Sequence, residues 1–113
     1  MQIMVIHTDR ETNKQEAVAV VTFNGTDVDA GLEYAYRWTN NIDGSWSKGE
    51  DVEFDGRLYE NTDFNENVKV LAPLPKFLGR TLGHRSSSVG DMMVIDGETY
   101  KVASFGFEKM ETA

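Results

Sequence analysis

The sequence predicts a single α+β domain, spanning residues 1–113, in which a small antiparallel sheet of about five strands carries one main helix packed on one face. Two alternating apolar segments open the chain, an amphipathic segment follows them, and an Asp-Gly pair between two short apolar runs closes the sheet as a β-hairpin. A chain of 113 residues has room for one hydrophobic core and not for two.

The first two strands are predicted at residues 2–8 and 16–23, with a polar hairpin loop between them. In the first strand Met4 and Ile6 alternate with Val5, and the second strand repeats the pattern with alanine and valine. Successive side chains of a strand point to opposite faces, so both faces of this hairpin are predicted to carry apolar groups.

The helix is predicted from about residue 27 to residue 38 or 39, with Thr26 as its N-cap. Gly31 is a poor helix former, which a close approach of the helix to the sheet would explain. The buried stripe of the helix is predicted to consist of Val28, Leu32, Ala35 and Thr39, which follow the spacing of one helical face.

An acidic excursion at about 43–66 follows the helix and holds eight acids against two bases, a net charge of −6. The acids are Asp43, Glu50, Asp51, Glu53, Asp55, Glu60, Asp63 and Glu66. Inside it, Asp55-Gly56 predicts a second, exposed hairpin. The segment from Lys69 to Arg85 holds four bases and no acid. A solvated acidic loop beside an ordinary basic stretch is the simplest interpretation.

The remaining elements are a strand at 67–72, an irregular connection at 76–82, and the closing hairpin around Asp96-Gly97. A type I′ turn at Asp96-Gly97 pairs Ile95 with Glu98, which places four residues on one core-facing side. These residues are Met93, Ile95, Tyr100 and Val102. Two aromatics after the hairpin, Phe105 and Phe107, are predicted to point inward.

Composition excludes several classes of function. The net charge of −8 argues against a general binder of nucleic acid or of anionic membranes. The chain has no cysteine, which excludes disulfides and thiolate metal sites, and no apolar run approaches the length of a membrane span. We expect a cytoplasmic protein, in the host cell if a phage encodes it, with no membrane partner.

Motifs that carry chemistry are weak. Neither His7 nor His84 has a second ligand at metal-binding spacing, so no metal and no cofactor are predicted. His84 lies beside a run of three serines, but no nucleophile elbow is present, so a hydrolase is the least favoured interpretation.

The candidate binding residues are an aromatic and basic set around the helix end and the entrance to the closing hairpin: Arg37, Trp38, Trp46, His84, Arg85, Ser86 and Ser87. Aromatic side chains and arginine are enriched at binding hot spots, which favours a recognition patch here. A structural alternative stays open, in which Arg85 pairs with Asp91 or with a helix C-terminal carbonyl, and the two tryptophans fill the core or hold a loop in place.

A family resemblance rests on Arg85–Phe107, which reads Arg-Ser-x-Ser-Val-Gly-Asp, four residues, Asp-Gly-x-x-Tyr-x-Val, and then Gly-Phe. This pattern resembles the YodL-like domain of bacterial mobile elements. It is also similar to a group of small uncharacterised phage proteins, which earlier segments resemble too: residues 33–42, 44–47 and 67–70. The resemblance implies a phage context and brings no known activity with it.

The leading hypothesis is a non-enzymatic phage accessory protein that binds a host or phage macromolecule, with a protein as the expected partner, in host takeover or defence against host immunity. Both the acidic excursion and the aromatic and basic set are candidate surfaces. One alternative is an acidic DNA mimic that inhibits a nuclease or restriction enzyme. A second alternative is a small nucleotide- or nucleic-acid-binding domain that uses Trp46 and Arg85.

Overall fold

The computed structural model describes residues 1–49 and 51–111. Glu50 and the side chain of Glu53, two of the predicted acidic residues, lie outside the described part. The elements in chain order are β1 (Gln2–Thr8), β2 (Gln15–Thr22), α1 (Val28–Trp38), β3 (Val52–Phe54), β4 (Arg57–Tyr59), β5 (Val68–Val70), β6 (Lys76–Phe77), β7 (Arg80–Thr81), β8 (Met92–Ile95), β9 (Glu98–Val102) and β10 (Phe107–Lys109).

One antiparallel sheet of six strands organises the chain, in the order β10-β9-β8-β1-β2-β5. The α+β class predicted from the sequence is confirmed, although the sheet has six strands where about five were predicted. Two separate two-stranded hairpins, β3-β4 and β6-β7, lie between β2 and β8 in the sequence. Strand β1 is central, because it pairs with β2 on one side and with β8 on the other.

The two faces of the sheet differ in burial. Along β1, Ile3, Val5 and His7 are buried, whereas Met4 between them is exposed. The β1–β2 register shifts at the step from Val5 to Ile6, where β2 contributes one extra residue as a β-bulge. The buried face continues across the sheet through Val21, Met93, Ile95 and Val102.

The closing hairpin has the predicted register, with Ile95 opposite Glu98 and Met93 opposite Tyr100. Asp96 and Gly97 both have positive φ, at 50° and 80°, as a type I′ turn requires. The Asp55-Gly56 hairpin is also confirmed, since φ is 50° and 73° there and all of β4 is exposed. The prediction that Phe105 points inward is wrong: its side chain is 96% exposed, at the turn between β9 and β10.

Helix α1 begins one residue later than predicted. Asp27, not Thr26, is the N-cap, because its carboxylate accepts a hydrogen bond from the Ala30 N–H. Gly31 is buried, and a Cβ at this position would lie 3.2 Å from Ile3 Cδ1, so the backbone of α1 approaches β1 closely. Leu32 belongs to the same hydrophobic core.

The connection at 76–82 is not irregular. It forms the small β6–β7 hairpin, in which Lys76 pairs with Thr81. The turn contains Leu78 and Gly79, both with positive φ, at 51° and 77°. Leucine rarely adopts positive φ, so Leu78 at the first turn position does not indicate a hairpin turn.

Candidate functional site

Five of the seven predicted binding residues lie around one junction, where the segment 84–88 crosses the C-terminal end of α1. The Ser87 N–H donates to the carbonyl of Thr39, the C-cap residue of α1, at 2.9 Å. Ser86 Oγ accepts the backbone N–H of Asn41 at 2.8 Å, and the Asn41 amide in turn donates to the His84 carbonyl. The structure therefore brings the two distant parts of the predicted set together.

Trp46 occupies the centre of this junction and is fully buried. Its indole stacks on His84 at 5.7 Å between ring centroids and meets His7 edge-on at 6.1 Å. The indole N–H donates to the Arg85 carbonyl at 2.9 Å. This tryptophan holds the loop in place, as in the structural alternative, and presents no aromatic surface to a partner.

Arg85 makes the ion pair that the structural alternative describes. Its guanidinium donates two parallel hydrogen bonds to the Asp91 carboxylate, at 2.7 and 2.8 Å. The Thr8 and Ser88 N–H groups donate to the same carboxylate, which is 2% exposed. Burial by itself raises the pKa of Asp91, but Arg85 and the two N–H groups outweigh it and lower the pKa overall.

The histidine that meets a serine is His7, not His84. His7 Nε2 lies 2.9 Å from Ser87 Oγ, which lies 2.7 Å from Thr39 Oγ1, and Thr39 donates to the Ala35 carbonyl. Asp91 lies 4.0 Å from the same Nε2 atom, whereas a catalytic triad places its carboxylate on the other ring nitrogen. Ser87 is 2% exposed. The arrangement is a buried hydrogen-bond chain that joins β1, α1 and the segment before β8.

His7 is held neutral in this cluster. Burial lowers its pKa from 6.5 to about 4, and the nearby charges of Arg85 and His84 act in the same direction. Asp91 alone raises the pKa, and Arg85 already neutralises that carboxylate. Because Thr39 gives its hydroxyl proton to the Ala35 carbonyl, Ser87 donates to Thr39 and accepts from the Nε2–H of His7, a donor that the neutral imidazole supplies in its Nε2–H tautomer.

Arg37 and Trp38 belong to a second polar contact, in which the buried carboxylate of Asp63 closes the loop after α1. Arg37 donates to Asp63 at 3.1 Å, and its guanidinium carbon lies 4.3 Å from the Trp38 ring centroid. The loop adds the N–H groups of Ile42, Asp43 and Gly44, at 2.6 to 2.8 Å from Asp63 Oδ2. Although burial raises the pKa of Asp63, these bonds lower it overall.

An open groove of about 1,020 Å³ lies beside the first junction, between the β1–β2 loop and the segment 83–88. Its charged lining is mixed in sign: Asp9, Arg10, Glu11, Lys14, Glu16 and Arg85. Arg85 is already paired with Asp91, and the Asp9 carboxylate accepts the Glu11 and Thr12 N–H groups. The groove therefore offers no net charge with which to select a ligand.

The face of the sheet opposite the buried one carries an apolar surface that is not among the binding residues predicted from the sequence. We call it the outer face and define it by six apolar residues: Met4, Ile6, Val20, Met92, Val94 and Met110. Met4 is 39% and Met110 37% exposed, and the other four are half-buried. The sequence indicated this surface through the apolar residues that it places on both faces of the first hairpin.

Direct strand pairing joins five of the six residues of the outer face. Met4 lies opposite Val20 on one side and Val94 on the other, and Ile6 lies opposite Met92. Thr99 lies opposite Val94, and the Met110 N–H donates to the Thr99 carbonyl, so Thr99 separates Met110 from the other five residues. Five apolar side chains therefore form one patch across β2, β1 and β8, and Met110 lies beyond Thr99 at the edge of the sheet.

Metal and membrane features are not found in the described part of the chain. No group of three or more potential ligand side chains among residues 1–49 and 51–111 could hold a metal ion. No described helix is long and apolar enough to cross a membrane.

Comparisons with protein-family models, with curated proteins and with solved structures find no match to this chain. The resemblance to YodL-like domains and to small phage proteins therefore stays a prediction.

Proposed function

We propose that this chain is a non-enzymatic accessory protein of a bacteriophage, and that it binds a protein of the host or of the phage through the outer face of its sheet. The observation that carries the proposal is the continuous apolar patch on that face. A sheet in a monomeric domain exposes polar residues on its free face, whereas contiguous exposed apolar patches mark interaction sites.

The position of α1 supports this proposal. Gly31 lies against Ile3, and Leu32 shares the core with Val5, so the helix covers the buried face. The segments that carry Trp46 and His84 pack against His7 and thus on the same side. The chain has covered one face of its sheet and left the apolar residues of the other face to a partner.

The state of the polar residues favours binding over catalysis. Ser87 Oγ is enclosed between His7 and Thr39, and the Asp91 and Asp63 carboxylates are saturated with hydrogen bonds. Groups bonded in this way stabilise the junctions of the fold and are not free to react.

The geometry bears differently on the two alternative functions. A DNA mimic needs exposed carboxylates, and although Asp63 is buried, five other acids of the acidic excursion are exposed, so this alternative stays open: Asp43, Asp51, Asp55, Glu60 and Glu66. A nucleic-acid platform needs an exposed aromatic ring, and Trp46 is fully buried.

Site-specific photo-crosslinking tests the proposed function. A benzoylphenylalanine placed at Met4 should cross-link a discrete protein in bacterial lysate, and excess unmodified protein should suppress the product. Val94→Glu on the same face should abolish it while circular dichroism stays unchanged. The matched control is the same probe at Leu58, which is 70% exposed on β4.

Equal cross-linking from Met4 and Leu58 would refute the outer face as a binding site. A product obtained only from a probe at Thr12, on the rim of the groove, would move the binding site there and refute it equally.

A further inference from the structure

The dimensions of the outer face restrict what can bind it. Strand β1 provides a length of about 20 Å from Gln2 to Thr8, at about 3.4 Å per residue. From β5 to β9 the sheet spans four strand spacings, or about 19 Å at about 4.8 Å each. The face therefore measures roughly 400 Å² in outline.

An α-helix fits the same space. A helix is about 10 to 12 Å wide with its side chains, and about 13 residues of it cover 20 Å. Helices on both sides of one sheet form a common layered architecture, and α1 already contacts β1 from the buried side. Met4, Met92 and Met110 supply flexible side chains that adapt to the ridges of a helix surface.

The charges at the margins indicate the chemistry of that helix. Lys69 of β5 lies directly opposite Val20 of β2, and Lys101 of β9 lies opposite Met92 of β8. The two lysines therefore border the outer face on opposite sides, each in a row of paired residues. The one acid in these rows is Glu108, paired with Lys101. Two lysines against one glutamate give these rows a net charge of +1, on a chain of net charge −8.

We propose that the outer face binds an amphipathic α-helix of a partner protein, apolar along one side and lined with carboxylates along both margins, lying in line with β1. This inference rests on the proposed function. The apolar side of the helix packs on Met4, Ile6 and Val94, and its carboxylates meet Lys69 and Lys101.

Two synthetic peptides serve as probes. Both are 14-residue helices with the same leucine stripe; one carries Glu and the other Lys along the two margins. Titrated into ¹⁵N-labelled full-length protein, the Glu peptide should shift amide resonances of β1, β2 and β8. It should bind about fivefold more tightly than the Lys peptide, as two exposed ion pairs of roughly 0.5 kcal/mol each imply.

A charge reversal makes the test specific. Lys69→Glu with Lys101→Glu should reverse the preference between the two peptides. The matched control is Lys14→Glu with Lys76→Glu, which changes the net charge equally away from the outer face and should leave the preference intact. An unchanged preference in the first double variant, or shifts confined to other strands, would overturn the inference.

Identifying the segment of the natural partner that is cross-linked tests this inference separately from the proposed function. Mass spectrometry of the product cross-linked from Met4 should identify an amphipathic helical segment with acidic margins. A cross-linked strand or basic segment would overturn the helix while the proposed function stands. A second copy of this chain as the product, with a dimer in sedimentation equilibrium, would also overturn it.

Discussion

The neutral state of His7 predicts how the stability of this protein depends on pH. His7 is 8% exposed, and burial lowers its pKa from 6.5 to about 4. Below pH 6.5 the unfolded chain binds a proton at this side chain, whereas the folded chain does not do so until about pH 4. The free energy of unfolding should therefore fall as the solution is acidified.

The size of the effect follows from the shift. Each pH unit between the two pKa values removes about 1.4 kcal/mol, so acidification from pH 6.5 to pH 5 should cost about 2 kcal/mol of stability. The pKa values of Asp91 and Asp63 are lowered, so their stabilising charge is lost only below the normal carboxylate range of about 4. These two groups therefore do not contribute to the change between pH 6.5 and pH 5.

Urea unfolding followed by tryptophan fluorescence measures the change, since Trp46 is in contact with His7. The matched variant is His7→Gln, which keeps a side-chain nitrogen near Ser87 but does not titrate. The slope of the free energy of unfolding against pH is compared between wild type and variant, and the difference gives the contribution of His7 alone. Equal slopes between pH 6.5 and pH 5, or an NMR titration of the His7 ring with a midpoint near 6.5, would refute the reasoning.

Three substitutions test other contacts by the same urea assay. Asp63→Asn should cost about 1 to 3 kcal/mol, because the single amide oxygen cannot accept from both the loop N–H groups and Arg37, as the two carboxylate oxygens do; an unchanged midpoint would contradict this. Trp46→Ala should cost about 3 to 5 kcal/mol, against less than about 0.5 for Leu58→Ala, and similar losses would show that the buried ring is not structural. Gly97→Val should cost more than about 1 kcal/mol, since φ is 80° there; a melting temperature equal to wild type would disprove the strained turn.

Local patterns identified the elements that depend on local chemistry. The Asp96-Gly97 turn and its register follow from positive φ at two adjacent residues, which few sequences other than Asp-Gly and Asn-Gly favour. The β6–β7 hairpin has the same backbone geometry with Leu78 at the first turn position, and leucine carries no such preference. Its turn geometry is therefore fixed by the surroundings and not by a preference of that residue.

The roles of the polar residues could not be read from their order in the chain. His84 is adjacent to three serines in sequence, yet the histidine bonded to Ser87 is His7, eighty residues away. Arg85 and Asp91, six residues apart, were the one polar pair that the sequence proposed correctly. Which of several nearby groups is buried depends on how β1 and the segment 84–88 pack, and this is a property of the assembled fold.

The same limit explains why the outer face was overlooked as a site. Alternating apolar residues on both faces of β1 and β2 predict a sheet covered on both sides, and nothing in that pattern says which cover the chain itself provides. The described chain has one helix of 11 residues, and its buried residues join the core on the side of Ile3. The apolar residues around Met4 are then in excess of what this fold needs to bury. A surplus of that kind, bordered by Lys69 and Lys101, is the observation on which our proposal of a partner that adds a third layer rests.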